Sequence, residues 1–276
     1  RQPATAPYNT AIAISQSGES LDTLMAMRHA AACGLKTIGL VNVPSSTIAR
    51  EADAVLPTRA GPEIGVASTK AFTAQLTVLL CFAVALARAK EQIDEARAEA
   101  IHAEIQALPG LVGKALGLFN AIRPVAHQLS QAKSALYLGR GALYPLAMEG
   151  ALKLKELSYI HAEGFASGEM KHGPIALIEE DLPVVALLAA DAVMAKASSN
   201  LREASARGGK IILLSEARAA DEVDYASAVI SVPDVDPLLS PILLAIPAQI
   251  LAYLTAVEKG TDVDQPRNLA KSVTVE

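Results

Sequence analysis

Residues 10–41 read TAIAISQSGESLDTLMAMRHAAACGLKTIGLV. Thr10–Ile14 is a short apolar run and predicts a strand, and Ser15–Ser20 is a polar turn. Leu21, Leu24, Met25 and Ala32 then recur at helical spacing, and Gly34 suits the residue just past a helix end. Thr37–Val41 predicts a second strand. A strand, a helix and a strand in succession require parallel pairing through a right-handed crossover. The same order returns in residues 184–215, where Gly208-Gly209-Lys210 stands in the place of Gly34-Leu35-Lys36. Ala54–Arg88 and Val229–Val257 continue the match as strand plus long helix, so the chain reads as a duplicated βα unit.

Outward from these repeats, Glu91–Ser130 predicts two linking helices broken near Pro109-Gly110 and near Pro124. Ser134–Leu138 predicts a strand, Gly139–Gly141 a tight turn and Tyr144–Ser158 a helix, while Glu163–Pro174 reads as a Gly-rich polar loop. The expected fold class is α/β, with two lobes that are each a parallel sheet between helices, a flavodoxin-like three-layer αβα arrangement. Lobe one is expected at 1–120 with its linker helix, lobe two at 121–258 and a tail at 259–276. Nothing before Thr10 matches the Ser134–Ser158 unit of lobe two, so the first lobe is expected to lack its first strand–helix unit.

The 276 residues are 51% hydrophobic and 19% charged, enough apolar material for two cores and too much for a disordered chain. Lys plus Arg is 24 and Asp plus Glu is 29, a net charge of −5. With no basic surplus and no Trp, nucleic acid is excluded as an expected partner. Cys33 and Cys81 form neither a metal spacing nor a disulfide framework, which fits a reducing cytoplasm. Arg1–Pro7 lacks the apolar stretch of a signal peptide. Leu76–Ala87 reads as a buried helix. Leu238–Val257 has the length of a membrane span, but Pro241, Pro247 and several polar residues make it a core or subunit-interface helix. No membrane association is expected.

Four stretches carry the chemistry. Ser15-Gln16-Ser17-Gly18-Glu19-Ser20 sets three hydroxyls and a Gly between a strand and a helix, a pattern suited to a phosphate monoester. It lacks the Lys of a nucleotide-binding loop. Gly61–Lys70 is a second loop into a helix, with Ser68 placed to cap it. Lys153 and Glu156 share a helix face at i, i+3, and spacing alone makes them a surface ion pair. His172, between Lys171 and Gly173, is exposed by context and able to titrate near neutrality. His161 reads as structural, and His29, His102 and His127 as helix-surface residues. The five His and two Cys make no metal constellation, and neither metal nor cofactor is expected.

Taken together, Ser15–Ser20, Glu63–Ala71, Glu149–Tyr159, Glu169–Pro174 and Gly260–Glu276 resemble the sugar isomerase (SIS) family over nearly the whole chain. The resemblance implies a phosphosugar aldose–ketose isomerase or isomerizing aminotransferase, acting on substrates like fructose 6-phosphate or glucosamine 6-phosphate. It implies that Ser15, Gln16, Ser17 and Ser20 hold the 6-phosphate, Ser20 replacing the family's usual Thr. Val66, Ser68 and Ala270 would line the sugar site. Glu156 would be the base between C1 and C2, with Lys153 assisting at the hydroxyls. His172 would open the ring from a neighbouring subunit, making the enzyme a homodimer. Lys271 would lie in a C-terminal tail folded over the sugar, close enough to its carbonyl for a Schiff base. The chain shows no glutaminase domain, so nitrogen from glutamine is not expected of it as it stands.

Two other readings remain at this stage. One is a deaminase or deglycase of amino-sugar phosphates. The other is a phosphosugar sensor without turnover, which needs the Ser15–Ser20 loop but not Glu156, His172 and Lys271 together.

Overall fold

The computed structural model describes residues 8–271. Residues 1–7 and 272–276, which include the polar N-terminal segment and the end of the expected tail, lie outside the described residues. Contacts divide the chain into two compact units, one reaching to Lys90 and including the segment from Asn268, the other Glu91–Arg267.

The first unit holds β1 (Thr10–Ser15), α1 (Leu21–Ala32), β2 (Lys36–Val41), α2 (Thr47–Glu51), β3 (Ala54–Pro57) and α3 (Lys70–Ala89). Its parallel sheet runs β1-β2-β3, registered from Thr10 opposite Lys36 to Ser15 opposite Val41. Ala13, Leu24, Met27, Val41 and Ile48 form its core. On β1, Ile12 and Ile14 stay partly exposed beside an apolar hollow lined by Ala11, Thr23, Met27 and Ala30 among others.

In the second unit, α4 (Glu95–Leu116) and α5 (Phe119–Ser130) precede β4 (Ser134–Gly139), α6 (Leu143–Ser158) and β5 (His161–Ala166). Two 3₁₀ segments, Ser167–His172 and Pro174–Leu177, lead to β6 (Pro183–Leu188), α7 (Met194–Ser205), β7 (Lys210–Glu216), α8 (Ala217–Ala220), β8 (Ala228–Val232) and α9 (Ser240–Lys259). All five strands are parallel in the order β5-β4-β6-β7-β8. Counted within the unit this is 2-1-3-4-5, the flavodoxin-like order. Leu136, Leu138, Val184, Ala186, Leu201 and Leu213 are among the residues buried in one core layer. The alternate residue Tyr137 turns toward α6, where a Cβ on Gly150 would stand 2.8 Å from its ring. Helices therefore cover both faces, as continuous apolar strands require.

The duplication read from the sequence is present in the sheets. The six-residue pairing of β1 with β2 is repeated by Pro183–Leu188 against Lys210–Ser215, and β1-β2-β3 reproduces the β6-β7-β8 half of the larger sheet.

Three expectations are corrected. Glu163–Ala166 belongs to β5 rather than to a loop, paired along its whole length with β4. The helices run through Pro109 and Pro124 and break instead at Gly117–Leu118, with a bend of 56°. The 76–87 stretch is helical within α3 but is not buried. Only Ala71 of that helix is, and residues 72–80 are partly exposed. By length and composition, α3 and α9 are each long and apolar enough to cross a membrane, yet 78% of the apolar window of α9 is buried inside the fold against 6% for α3.

Candidate active site

At the end of β1, Ser15 is buried and its Oγ accepts the Gly18 N–H at 3.0 Å and shares a 3.2 Å hydrogen bond with the Ser20 hydroxyl. The Glu19 N–H donates to Ser17 Oγ at 3.2 Å. Gly18 has φ +69°, and a Cβ there would fall 2.0 Å from Ser46 Oγ, so only glycine fits. The loop is tied to the start of α2: Ile48 N donates to Gly18 O at 3.0 Å and Thr47 N to the Glu19 carboxylate at 2.8 Å. That backbone bond from Thr47 lowers the Glu19 pKa and turns its negative charge toward α2. Gln16 contributes its carbonyl to Asn42 N at 3.1 Å. Three hydroxyls are thus fixed on one short loop, as the sequence suggested.

Asn42 sets up the second loop. Its side chain accepts from Thr58 Oγ1 and Ala60 N and donates to Gly61 O at 2.8 Å. Ser68 does not cap the helix that follows. Glu63 does, its Oε1 accepting the N–H groups of Thr69 at 2.9 Å and Ala71 at 3.2 Å. Ser68 donates to the other oxygen of Glu63 at 3.3 Å, and Lys271 Nζ lies 2.7 Å from that same oxygen and 2.8 Å from Gly65 O. The Glu63 side chain is 4% exposed. Burial acts to raise its pKa, but Lys271 and the two N–H groups outweigh burial and hold the carboxyl below its usual range. Val66 is half-buried on this loop, and Ala270 is exposed in the tail.

In the second unit, α6 carries a charged triad. Lys153 Nζ stands 2.5 Å from Glu156 and 3.5 Å from Glu149, with the lysine side chain only 5% exposed. This is not the exposed ion pair that spacing alone suggested: an i, i+3 pair has become a largely desolvated charge between two carboxylates. Burial raises the Glu149 pKa, opposed by Lys153 and assisted by Glu156, and among the described residues the 3.5 Å approach of Lys153 is the ion-pair contact of the buried Glu149 Oε1. The helix ends at Tyr159 with φ +60°, and the Arg267 guanidinium lies 4.2 Å over the Tyr159 ring, pinning the chain before the tail to this end.

His172 ends the 3₁₀ segment after β5 and is 74% exposed, 4.0 Å from Glu169. The segment itself is anchored. Met170 is wholly buried, Ser167 donates to Asn200 Oδ1 at 3.4 Å, and Arg140 donates to the same atom at 3.0 Å. A Cβ on Gly168 would sit 2.7 Å from the Arg140 guanidinium. His161, read as structural, is an exposed residue at the start of β5, 3.6 Å from Glu163. Among the described residues no group of three or more His, Cys, Asp or Glu is placed to hold a metal ion.

The structure thus joins Ser15 with Ser20, Lys153 with Glu156, and Ser68 with Lys271 through Glu63. Sequence reasoning gave no role to Glu63 or Glu149. Glu149 was findable at i−4 from Lys153; Glu63 was not, since its partners lie in a loop and 208 positions away.

This architecture is that of an α/β protein with two units, each built on a parallel sheet. The SIS domain family model matches residues 4–85 and 128–259, and the chain belongs to that family. It is 54% identical over 277 residues to the glutamine–fructose-6-phosphate aminotransferase (isomerizing) of Zymomonas mobilis subsp. mobilis, covering 100% of this chain and 46% of that protein. It is 56% identical over 268 residues to the protein of the same name from Bradyrhizobium diazoefficiens, covering 96% and 44%. Among solved structures, the C-terminal domain of glucosamine-fructose-6-phosphate aminotransferase from Francisella tularensis superimposes with a TM-score of 0.90 at 42% identity, covering 93% of this chain and 73% of that one. The chain spans about half the length of the curated relatives it matches.

Proposed function

We propose that this chain is the isomerase part of an isomerizing aminotransferase and interconverts 6-phosphorylated ketose and aldose, with fructose 6-phosphate as the ketose. The Ser15–Ser20 loop takes the phosphate. Held there, the sugar is oriented by binding energy remote from its reacting carbons. Val66, Ser68 and Ala270 line the sugar. Glu156 removes a proton from C1 and returns it to C2, while the Lys153 ammonium donates to the oxygen on which charge develops. Lys271 meets the carbonyl carbon. His172 protonates the ring oxygen during opening; its exposure on an anchored arm supports action in a second copy of the chain, and hence a homodimer. The reaction belongs to the cytoplasm.

The observation that carries this reading is the lysine enclosed between Glu149 and Glu156. Buried charges are costly and no core needs them, so such a cluster marks chemistry. It also favours an enzyme over a sensor. The test is ligand-induced thermal stabilisation by hexose 6-phosphates beside turnover. Glu156→Gln should keep the stabilisation and lose turnover by about 10²–10⁴-fold. Retained turnover would remove Glu156 from its role.

A further inference from the structure

The segment from Asn268 groups with the first unit, and one buried carboxylate fixes its last described residue there. Capping α3 does not require a carboxylate, since a neutral oxygen can also accept the N–H groups of Thr69 and Ala71, though less strongly. The second oxygen of Glu63, however, faces Lys271 at 2.7 Å, and Gly65 O faces the same Nζ at 2.8 Å. An ammonium has three N–H donors. These two acceptors engage two of them, and among the described residues the third tetrahedral vertex has no acceptor. The Lys271 side chain is 27% exposed, so that vertex has access to solvent.

We propose that Glu63 is the positioning residue of Lys271: it seats the tail against the Gly61–Ser68 loop and aims the one unengaged valence of the lysine nitrogen at the substrate carbonyl. The proposal rests on the reading above that Lys271 meets that carbonyl. When the ammonium gives up the unengaged proton to solvent, both remaining N–H bonds stay anchored and the lone pair occupies the open vertex. The lone pair adds to the carbonyl carbon, the carbonyl oxygen takes up a proton, and a carbinolamine forms. The N–H that bonded Gly65 O then gives its proton to the carbinolamine hydroxyl, and the C–O bond breaks as that oxygen leaves as water. The resulting iminium keeps one N–H, and Glu63 serves as its counter-ion while the Gly65 contact is released. Nothing is oxidised or reduced.

The design that separates this from simple helix capping is Glu63→Gln, which retains an acceptor for α3 but removes the charge. With fructose 6-phosphate and cyanoborohydride, mass spectrometry should find the reduced adduct on Lys271 in the wild-type chain. It should fall at least tenfold in Glu63→Gln and partly recover in Glu63→Asp. Adduct formation in Glu63→Gln equal to wild type would overturn the proposal. A second measurement needs no substrate. Lys271→Met strands a buried carboxylate and should lower the thermal midpoint, and adding Glu63→Gln should restore part of that loss. Additive losses would overturn the seating of Lys271 by Glu63. Restoration without any wild-type adduct would instead overturn the imine role of Lys271 and leave the seating intact.

Discussion

Replacing Lys153 by Met keeps an unbranched apolar stem in a 5%-exposed position and deletes only the ammonium that lies 2.5 Å from Glu156 and 3.5 Å from Glu149. Breaking a buried pair by removing one partner costs about 3–5 kcal/mol. Glu149 and Glu156 retain 15% and 21% exposure, so residual hydration should keep the loss near the lower figure, about 3 kcal/mol. At about 2–4 °C per kcal/mol for a chain of this size, the melting midpoint falls roughly 6–12 °C at pH 8. The deficit depends on pH with a definite sign. Burial already raises the Glu149 pKa, and Lys153 is the group that opposes it. Without the lysine the folded-state value rises further above the unfolded one, so the folded variant gains stability as it takes up a proton. The gap to wild type is therefore largest at pH 8 and narrows toward pH 5. Thermal unfolding followed by circular dichroism at pH 8, 6.5 and 5 reads this directly. A gap that stays constant with pH, or a loss below about 1 kcal/mol at pH 8, would refute the picture of a desolvated triad.

Other perturbations reach the remaining parts. Gly18→Ala places a Cβ on Ser46 Oγ at a left-handed backbone position and should cost about 1–3 kcal/mol from overpacking, with a parallel loss of phosphosugar affinity measured by calorimetry. Ser17→Ala with Ser20→Ala should weaken phosphorylated sugars selectively, whereas equal weakening of unphosphorylated sugars would count against an anion loop. Because the Glu63 pKa is held low, its ion pair contributes stability at neutral pH and loses it as pH falls through the depressed folded value. The midpoint difference between wild type and Glu63→Gln should thus be full at pH 7 and shrink below about pH 4, as read by scanning calorimetry. His172→Asn mixed with Glu156→Gln chains should regain activity if the histidine works in the partner, and the absence of complementation would confine it to its own chain.

Much of the fold was legible because residues 10–41 and 184–215 carry the same punctuation: an apolar strand, a helix, Gly and Lys, then another strand. The edge strand β5 was not. Its Gly164 and Glu163 look like loop residues, and the glycine is there because a Cβ would come within 2.6 Å of the Met148 backbone on α6. Proline misled twice in the linking helices, where Pro109 and Pro124 lie inside α4 and α5 while the chain turns at Gly117. At the site, residues adjacent in sequence were readable, as with Ser15–Ser20 and Lys153–Glu156. What sequence could not give was desolvation: whether Lys153 sits in water or between two acids is a property of the packed helix. Nor could it pair Glu63 with Lys271, because nothing local marks a carboxylate whose partner closes from the far end of the chain.

The most direct test of the account is solvent deuterium incorporation. Incubated in D₂O with fructose 6-phosphate, the wild-type chain should place deuterium on the carbon skeleton at C1 or C2, and Glu156→Gln should place none while binding the phosphosugar with unchanged affinity. Incorporation by Glu156→Gln at the wild-type rate would contradict it.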